Sequence, residues 1–340
     1  MQPQASSRPA RPAAGSFDRQ VRLALWQGAL QEGGDWAGEL RAQARAAKER
    51  GAELLLTPEL CVPGFHVFGR RGFRCASEIV EAAICSIARE EGLALCVGYA
   101  EKRKGAADFW NTAVLVDATG DLRLRYRKHH LWGNEAGLGL VASDEDLQVA
   151  ELQLLGPPAP CTVRTSVLIC YDVEFPEMAR LLACAPHRAE LLLVPTALPY
   201  TEPNAATRIV PARAMENRIF LAYCNYPCLP RVDGEYFCGH SCFAGPDAEF
   251  LAGPCDWAEE RLLLCNVGWT ENLRWVAGET PYLQDRRPDF YRSQGFCQEG
   301  RDPPGRPARA PRGAPRGEQS AGAAEEEPHS ENPGAKRRKR

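Results

Sequence analysis

The chain has 340 residues, 44% of them apolar and 25% charged, with a formal net charge of −3. That balance describes a soluble globular protein with material for a large core, and it gives no electrostatic basis for nucleic-acid binding by the core. No apolar run approaches the roughly 20 residues needed to span a bilayer, so a membrane role is not expected. Residues 1–15 are rich in Pro, Ala, Ser and Arg and lack the apolar segment of a secretory signal, a composition that leaves only a weak organellar address open. Residues 22–26 read as a first strand. Asp35 is placed to cap a helix from Trp36 to about Arg50, with Gly51 as its left-handed exit. Residues 54–57 are continuously apolar and predict a short buried strand. Ser77 is expected to cap a second helix that runs to Glu90 and stops at Gly92, ahead of a strand over 93–99. Strands over 111–117 and 122–126 flank Ala118-Thr119-Gly120-Asp121, a hairpin signal. A strand over 163–169 leads to Cys170 and a helix from Pro176 to Cys184. A buried strand over 190–194, a helix over 211–217, and strands over 220–224, near 240–243 and over 261–267 complete the series. Helix and strand signals mixed with hairpins predict a layered α/β domain rather than a purely parallel sheet.

From about residue 298 the composition turns to Arg, Pro, Gly, Ala and Glu, too little apolar surface to offset the entropy of ordering. The expected organisation is therefore a disordered arm (1–15), one domain (16–297) and a disordered tail (298–340). The tail ends in Lys336-Arg337-Arg338-Lys339-Arg340, which reads either as a nuclear-import signal or as a solvated charge run. The 14 cysteines are scattered through apparent strands and helices, the pattern of small buried hydrophobes in a reducing compartment. The expected location is cytoplasmic, or nuclear if the tail directs import. Cys224, Cys228, Cys238 and Cys242, with His240 among them, are compatible with zinc. Because 221–224 reads as a strand, simple packing of these thiols in a hairpin is the preferred reading.

Three segments carry chemistry. The apolar run 166–169 stops at Cys170, which places a thiol at a strand-to-helix turn, near backbone N–H groups able to receive an oxyanion. The run 54–58 ends on the carboxylate of Glu59, and Tyr126-Arg127-Lys128-His129-His130-Leu131 carries an ammonium. A thiol, a carboxylate and an ammonium, each just past a strand, supply a nucleophile, a base and an electrostatic stabiliser. His129 and His130 are rival bases of a Cys–His arrangement, but that reading leaves Glu59 and Lys128 without a role.

Pro58-Glu59 with Gly64-Phe65, the 126–131 segment, and Cys170-Tyr171-Asp172 with Phe175-Pro176-Glu177 resemble, in order and spacing, the nitrilase or carbon–nitrogen hydrolase superfamily, over about residues 21–291. The resemblance implies a four-layer αββα sandwich, paired through a helical face into a homodimer or higher homo-oligomer. It implies Cys170 as nucleophile, Glu59 as base, Lys128 and the Tyr171 backbone N–H as holders of the oxyanion, and no metal or organic cofactor. Glu135 matches a second acidic residue beside the triad. Tyr171-Asp172 in place of Trp-Glu points to the amidase and carbamoylase branches. Glu174 occupies a position where enzymes of carbamoyl amino acids use arginine to hold a carboxylate, which argues against an anionic substrate. Residues 194–197, 211–217 and 281–288 are similar to aliphatic and stereoselective amidases, and Phe65, Trp132, Thr196 and Ala197 are substrate contacts by motif position. The activity so implied is hydrolysis of a small carboxamide to acid and ammonia through a cysteine thioester. The alternatives are hydrolysis of an N-carbamoyl amine, or an inactive binding or scaffold member.

Overall fold

Three consecutive leucines in β2 (Leu54–Leu56) are all buried, because the strand is covered on both faces. Successive side chains alternate across a strand. Leu54 and Leu56 therefore join the apolar layer between two sheets, while Leu55 packs under the helices outside. The computed structural model describes residues 20–71, 76–156, 160–231, 234–268 and 281–295.

The first sheet contains β1 (Gln20–Gln27), β2, β3 (Ala94–Lys102), β4 (Phe109–Val116), β5 (Leu122–Arg127), β6 (Leu140–Val141) and, from the far end of the chain, Arg261–Gly268. That last strand pairs antiparallel with β1; β1, β2 and β3 run parallel; β4 and β5 follow as antiparallel neighbours, with β6 beside β4. The second sheet holds β7 (Ala150–Leu154), β8 (Cys161–Val167), β9 (Leu191–Pro195), β10 (Phe220–Cys224), β11 (Cys242–Ala244) and β12 (Phe250–Ala252), in reverse chain order across the sheet. The strand Arg261–Gly268 is β13.

Helices α1 (Trp36–Glu49) and α3 (Ser77–Glu91) cover the first sheet through Leu40, Ala44, Val80, Ile84 and Ile87. On the second sheet α4 (Pro176–Ala183) and α5 (Val210–Asn217) bury Met178, Leu182, Val210 and Ala214. The layers are helix, sheet, sheet, helix, the expected αββα sandwich. Two shorter helices, α2 (Phe65–Arg71) and α6 (Pro288–Ser293), lie outside this scheme.

Most boundaries fall within a residue or two of expectation, and the caps explain why. Asp35 accepts the Gly38 N–H at 3.0 Å, and Gly51 leaves α1 at φ +80°. The cap of α3 differs from expectation: Ala76 is the N-cap, and Ser77 turns its Oγ to the Lys102 N–H at 2.9 Å, tying the helix start to the end of β3. Strands β7 and β12 and helices α2 and α6 were not anticipated, nor was the π-helical turn Ala205–Ile209 ahead of α5. The arm 1–15, the tail 298–340 and its basic end lie outside the described residues. No described helix is long and apolar enough to cross a membrane.

Three of the four clustered cysteines turn their thiols to different partners. The Cys224 thiol lies against the Trp26 and Leu56 carbonyls at 3.2 and 3.3 Å, Cys242 points to the Ala206 carbonyl, and Cys238 meets Asn225. Among the described residues no group of three or more His, Cys, Asp or Glu side chains is arranged to hold a metal.

Candidate active site

Glu59, Lys128 and Cys170 each follow a strand end: β2, β5 and β8. Sharp turns present two of them. Leu60, directly after Glu59, has φ +48°, and Cys170 itself has φ +48° at the start of a 3₁₀ turn, Cys170–Glu174. A side chain in this left-handed region costs of order 1 kcal/mol, so surrounding contacts must hold the turn.

Asp172 does so. Fully buried, it accepts four hydrogen bonds: Ile169 N–H at 3.3 Å, Tyr126 O–H at 2.8 Å, His130 N–H at 2.9 Å and His130 Nδ1–H at 2.8 Å. One bond closes the nucleophile turn on itself, and three fasten it to the segment that carries Lys128. The two histidines are thereby occupied: His130 faces Asp172 and stacks on Phe175, and His129 reaches Tyr126 and the Glu145 carbonyl. Neither bonds the thiol.

Lys128 has no exposed surface and lies between two carboxylates, 2.6 Å from Glu59 Oε1 and 2.7 Å from Glu135 Oε1. Its ammonium has three N–H donors; these contacts use two. Burial disfavours the charge, but Glu135 and Glu59 outweigh it and hold the ammonium well above the ordinary lysine range. Glu135 reaches Lys128 from the loop after it and also accepts the Trp132 N–H at 3.1 Å. Burial pushes its carboxyl up to about 7, against the pull of Lys128 and with added repulsion from Glu59. Asn111, buried in β4, donates its side-chain amide to Glu59 Oε1 at 2.7 Å, and its backbone carbonyl accepts the Lys128 backbone N–H at 2.9 Å. With Oε1 doubly bonded, Glu59 Oε2 is a buried oxygen without a hydrogen-bond partner.

The Cys170 sulfur shares this field. Burial first, and then the negative charge of Glu59, push the thiol well above its ordinary value, while Lys128 and a hydrogen bond from the Ala197 N–H oppose the rise. The resting sulfur therefore keeps its proton. Thr196 and Ala197 follow β9. The Thr196 carbonyl accepts the Glu59 N–H at 3.2 Å, and its hydroxyl donates to the Val194 carbonyl at 3.2 Å. Phe65 packs beside Ala197, edge-on to Phe237. Trp132 lies over the guanidinium of Arg231, which also donates to the Ala197 carbonyl at 2.5 Å. Sequence reasoning gave no role to Asn111 or Arg231 and left Asp172 as a motif residue only. The signal for Asn111 was a lone amide within the apolar run of β4.

At the junction of the two sheets of this αββα frame a buried thiol lies in the field of a carboxylate and an ammonium that pair at 2.6 Å. The family model for carbon-nitrogen hydrolases matches residues 4–268. A cysteine-to-alanine mutant of the amidase from Nesterenkonia sp. AN1, solved in complex with butyramide, is 32% identical, covers 80% of this chain and 96% of its own, and superposes with a TM-score of 0.65. A protein of Pseudomonas protegens described as "Hydrolase in pqqF 5'region" is 35% identical over 76% of this chain and 86% of its own length. The 2-oxoglutaramate amidase of Paenarthrobacter nicotinovorans is 30% identical over 72% of this chain and 81% of its own. The N-carbamoylputrescine amidase of Solanum tuberosum is 28% identical over 73% and 85%. The chain belongs to the carbon-nitrogen hydrolase family, the nitrilase superfamily, and falls in its amidase branch: it is a hydrolase of C–N bonds.

Proposed function

We propose that the protein is an amidase that hydrolyses a small carboxamide to carboxylic acid and ammonia through a Cys170 thioester, using Glu59, Lys128 and Glu135 and no cofactor. The observation that carries this reading is the unpartnered buried Oε2 of Glu59 beside a protonated thiol, with the Glu59 Oε1 already committed to Lys128 and Asn111. Oε2 accepts the thiol proton as sulfur adds to the amide carbon. The oxyanion so formed is met by the third Lys128 N–H and by the Tyr171 backbone N–H, the first amide beyond the nucleophile in its turn. Glu59 returns the proton to the amide nitrogen, the C–N bond breaks and ammonia leaves the thioester. Water then adds to the thioester carbon, giving its proton to Glu59; the C–S bond breaks and the sulfur recovers that proton. Glu135 keeps Lys128 in place throughout.

An N-carbamoyl amine is cleaved by the same steps but releases carbon dioxide as well, so product analysis separates the two substrates. A scaffold role has no use for an intact charge network around a thiol. The test is ammonia release across a panel of short amides. Cys170→Ala should reduce it at least a thousandfold while circular dichroism stays native. Glu59→Gln should arrest turnover similarly; near-normal turnover in either variant would overturn the assignment.

A further inference from the structure

Helices α4 and α5 both end at one open cavity of about 630 Å³, walled on its other side by the segment just ahead of α6. The length of α4 separates this cavity from the Cys170 turn. Three arginines line it, Arg188, Arg218 and Arg286, and no carboxylate does. Arg218 is occupied: it caps the end of α5, donates from Nη1 to the Pro246 carbonyl at 3.0 Å and lies 4.5 Å from the Tyr282 ring centroid. The other two are not neutralised. Arg286 donates from Nη1 to the Cys184 sulfur at 3.0 Å and meets no acid, and the exposed Arg188 side chain forms no hydrogen bond or ion pair among the described residues. The acids nearest in the chain are turned elsewhere. Glu216 pairs with Arg213 at 3.1 Å and reaches Arg180 at 4.0 Å, Glu190 accepts the Arg164 backbone N–H at 2.9 Å, and the exposed Asp285 pairs with none of the three arginines. Each helix C-terminus carries roughly half a negative charge, so α4 and α5 together offset about one arginine and leave about two positive charges.

Two orphaned polar atoms stand beside this excess. Asn217, fully buried in the cavity wall, donates from Nδ2 to the Arg213 carbonyl at 2.9 Å, which leaves its Oδ1 without a donor. Arg180, one turn before Cys184 on α4, has a buried Nη1 without an acceptor. Burial lowers its proton affinity, Glu216 opposes that, and repulsion from Arg286 adds to it, as expected of cations crowded with too little counter-charge.

We propose that this cavity binds a small hydroxylated dianion, a phosphate monoester or a dicarboxylate, through Arg188 and Arg286, with a ligand hydroxyl donating to Asn217 Oδ1. Guanidinium forks match either headgroup, and two of them without an acid gain from a dianion more than from a monoanion. Ile219 and Leu283 line the same space and give the ligand carbons an apolar contact. The site does not depend on the amidase reading of Cys170 and stands or falls without it.

Calorimetric titration of the full chain at physiological ionic strength with glycerol 3-phosphate, malate, lactate and glycerol tests it. Glycerol 3-phosphate or malate should bind at least about tenfold more tightly than lactate, the scale of one further charged hydrogen bond, and glycerol should not bind; the tighter dianion identifies the headgroup. The thiol in the wall locates the site. Saturation with that dianion should slow alkylation of Cys184 by iodoacetamide, followed by mass spectrometry of its peptide, while the partly exposed Cys161 on β8 reacts at an unchanged rate. Arg188→Gln and Arg286→Gln should each raise Kd roughly tenfold; Arg188 is exposed, so the folding of that variant is not at stake. Binding of neither dianion, a Kd unmoved by both substitutions, or a Cys184 alkylated as fast with ligand bound as without it overturns the proposal.

Discussion

Lys128 stays charged without solvent because two carboxylates converge on it, and the three groups are held as one unit rather than as separable pairs. The cost of that arrangement falls on Glu135. Its carboxyl, raised from 4.5 to about 7, binds its proton more tightly in the folded protein than in the unfolded chain. The native state therefore carries the extra proton between those values, and stability from this group is full below pH 4.5 and is lost as pH rises through about 7. The stability difference between wild type and Glu135→Gln should fall by on the order of 3 kcal/mol across that window, at about 1.4 kcal/mol per unit. Urea titrations at several pH values measure it; a difference that is flat or rises with pH would contradict the assignment.

Glu59 and Cys170 each depend on a turn, and the turns depend on neighbours outside the proposed triad. Gly98, in β3, lies under the Glu59 turn so closely that a Cβ there would sit 2.7 Å from the Pro58 carbonyl oxygen and 2.8 Å from the Leu60 nitrogen. These are backbone atoms and cannot swing aside. Gly98→Ala should displace Glu59 and lower kcat roughly 100-fold, the usual effect of about 1 Å of misplacement, with Cys170 still present; steady-state kinetics beside a melting curve read both effects. Asp172→Asn keeps the side-chain shape but replaces one acceptor oxygen with an NH₂ group. It should orphan either the His130 donors or those of Tyr126 and Ile169, at a cost of about 1–3 kcal/mol, and lower kcat more than it raises KM. A change in KM alone would show that Asp172 does not position the nucleophile. Strand ends were legible here because apolar runs stop after Leu56 and after Ile169, and the alternating apolar and basic pattern of β5 stops at Arg127. The left-handed turns after them were not. Neither Leu60 nor Cys170 is a residue type that announces positive φ, and only their long-range contacts impose it. The expected Ser77 cap failed for the same reason, since a partner on β3 outcompeted the local helix end.

The sandwich has one core between its sheets and another under α1 and α3, so the sheets can pack only in one facing arrangement. On the far side α4 and α5 adjoin, leaving Leu181 more than half exposed and Met215 exposed beside them in the helical layer. An apolar side chain so placed fits pairing of two copies through this layer, as the family resemblance implied. Light scattering after size exclusion should give a multiple of the 37.4 kDa chain mass, and Leu181→Glu should shift it toward the monomer. A wild-type monomer would remove the idea. A layered α/β domain could be anticipated because alternating strand and helix signals follow from local periodicity, whereas the αββα order came only with the family resemblance; the thiol, carboxylate and ammonium stood in the chain at recognisable strand ends. Their meeting could not. Glu59 and Lys128 leave the first sheet and Cys170 leaves the second, so the sulfur enters the field of that ion pair only once the two sheets are stacked. Burial at that junction, a property of no single segment, sets the proton on the sulfur and the charge on the lysine.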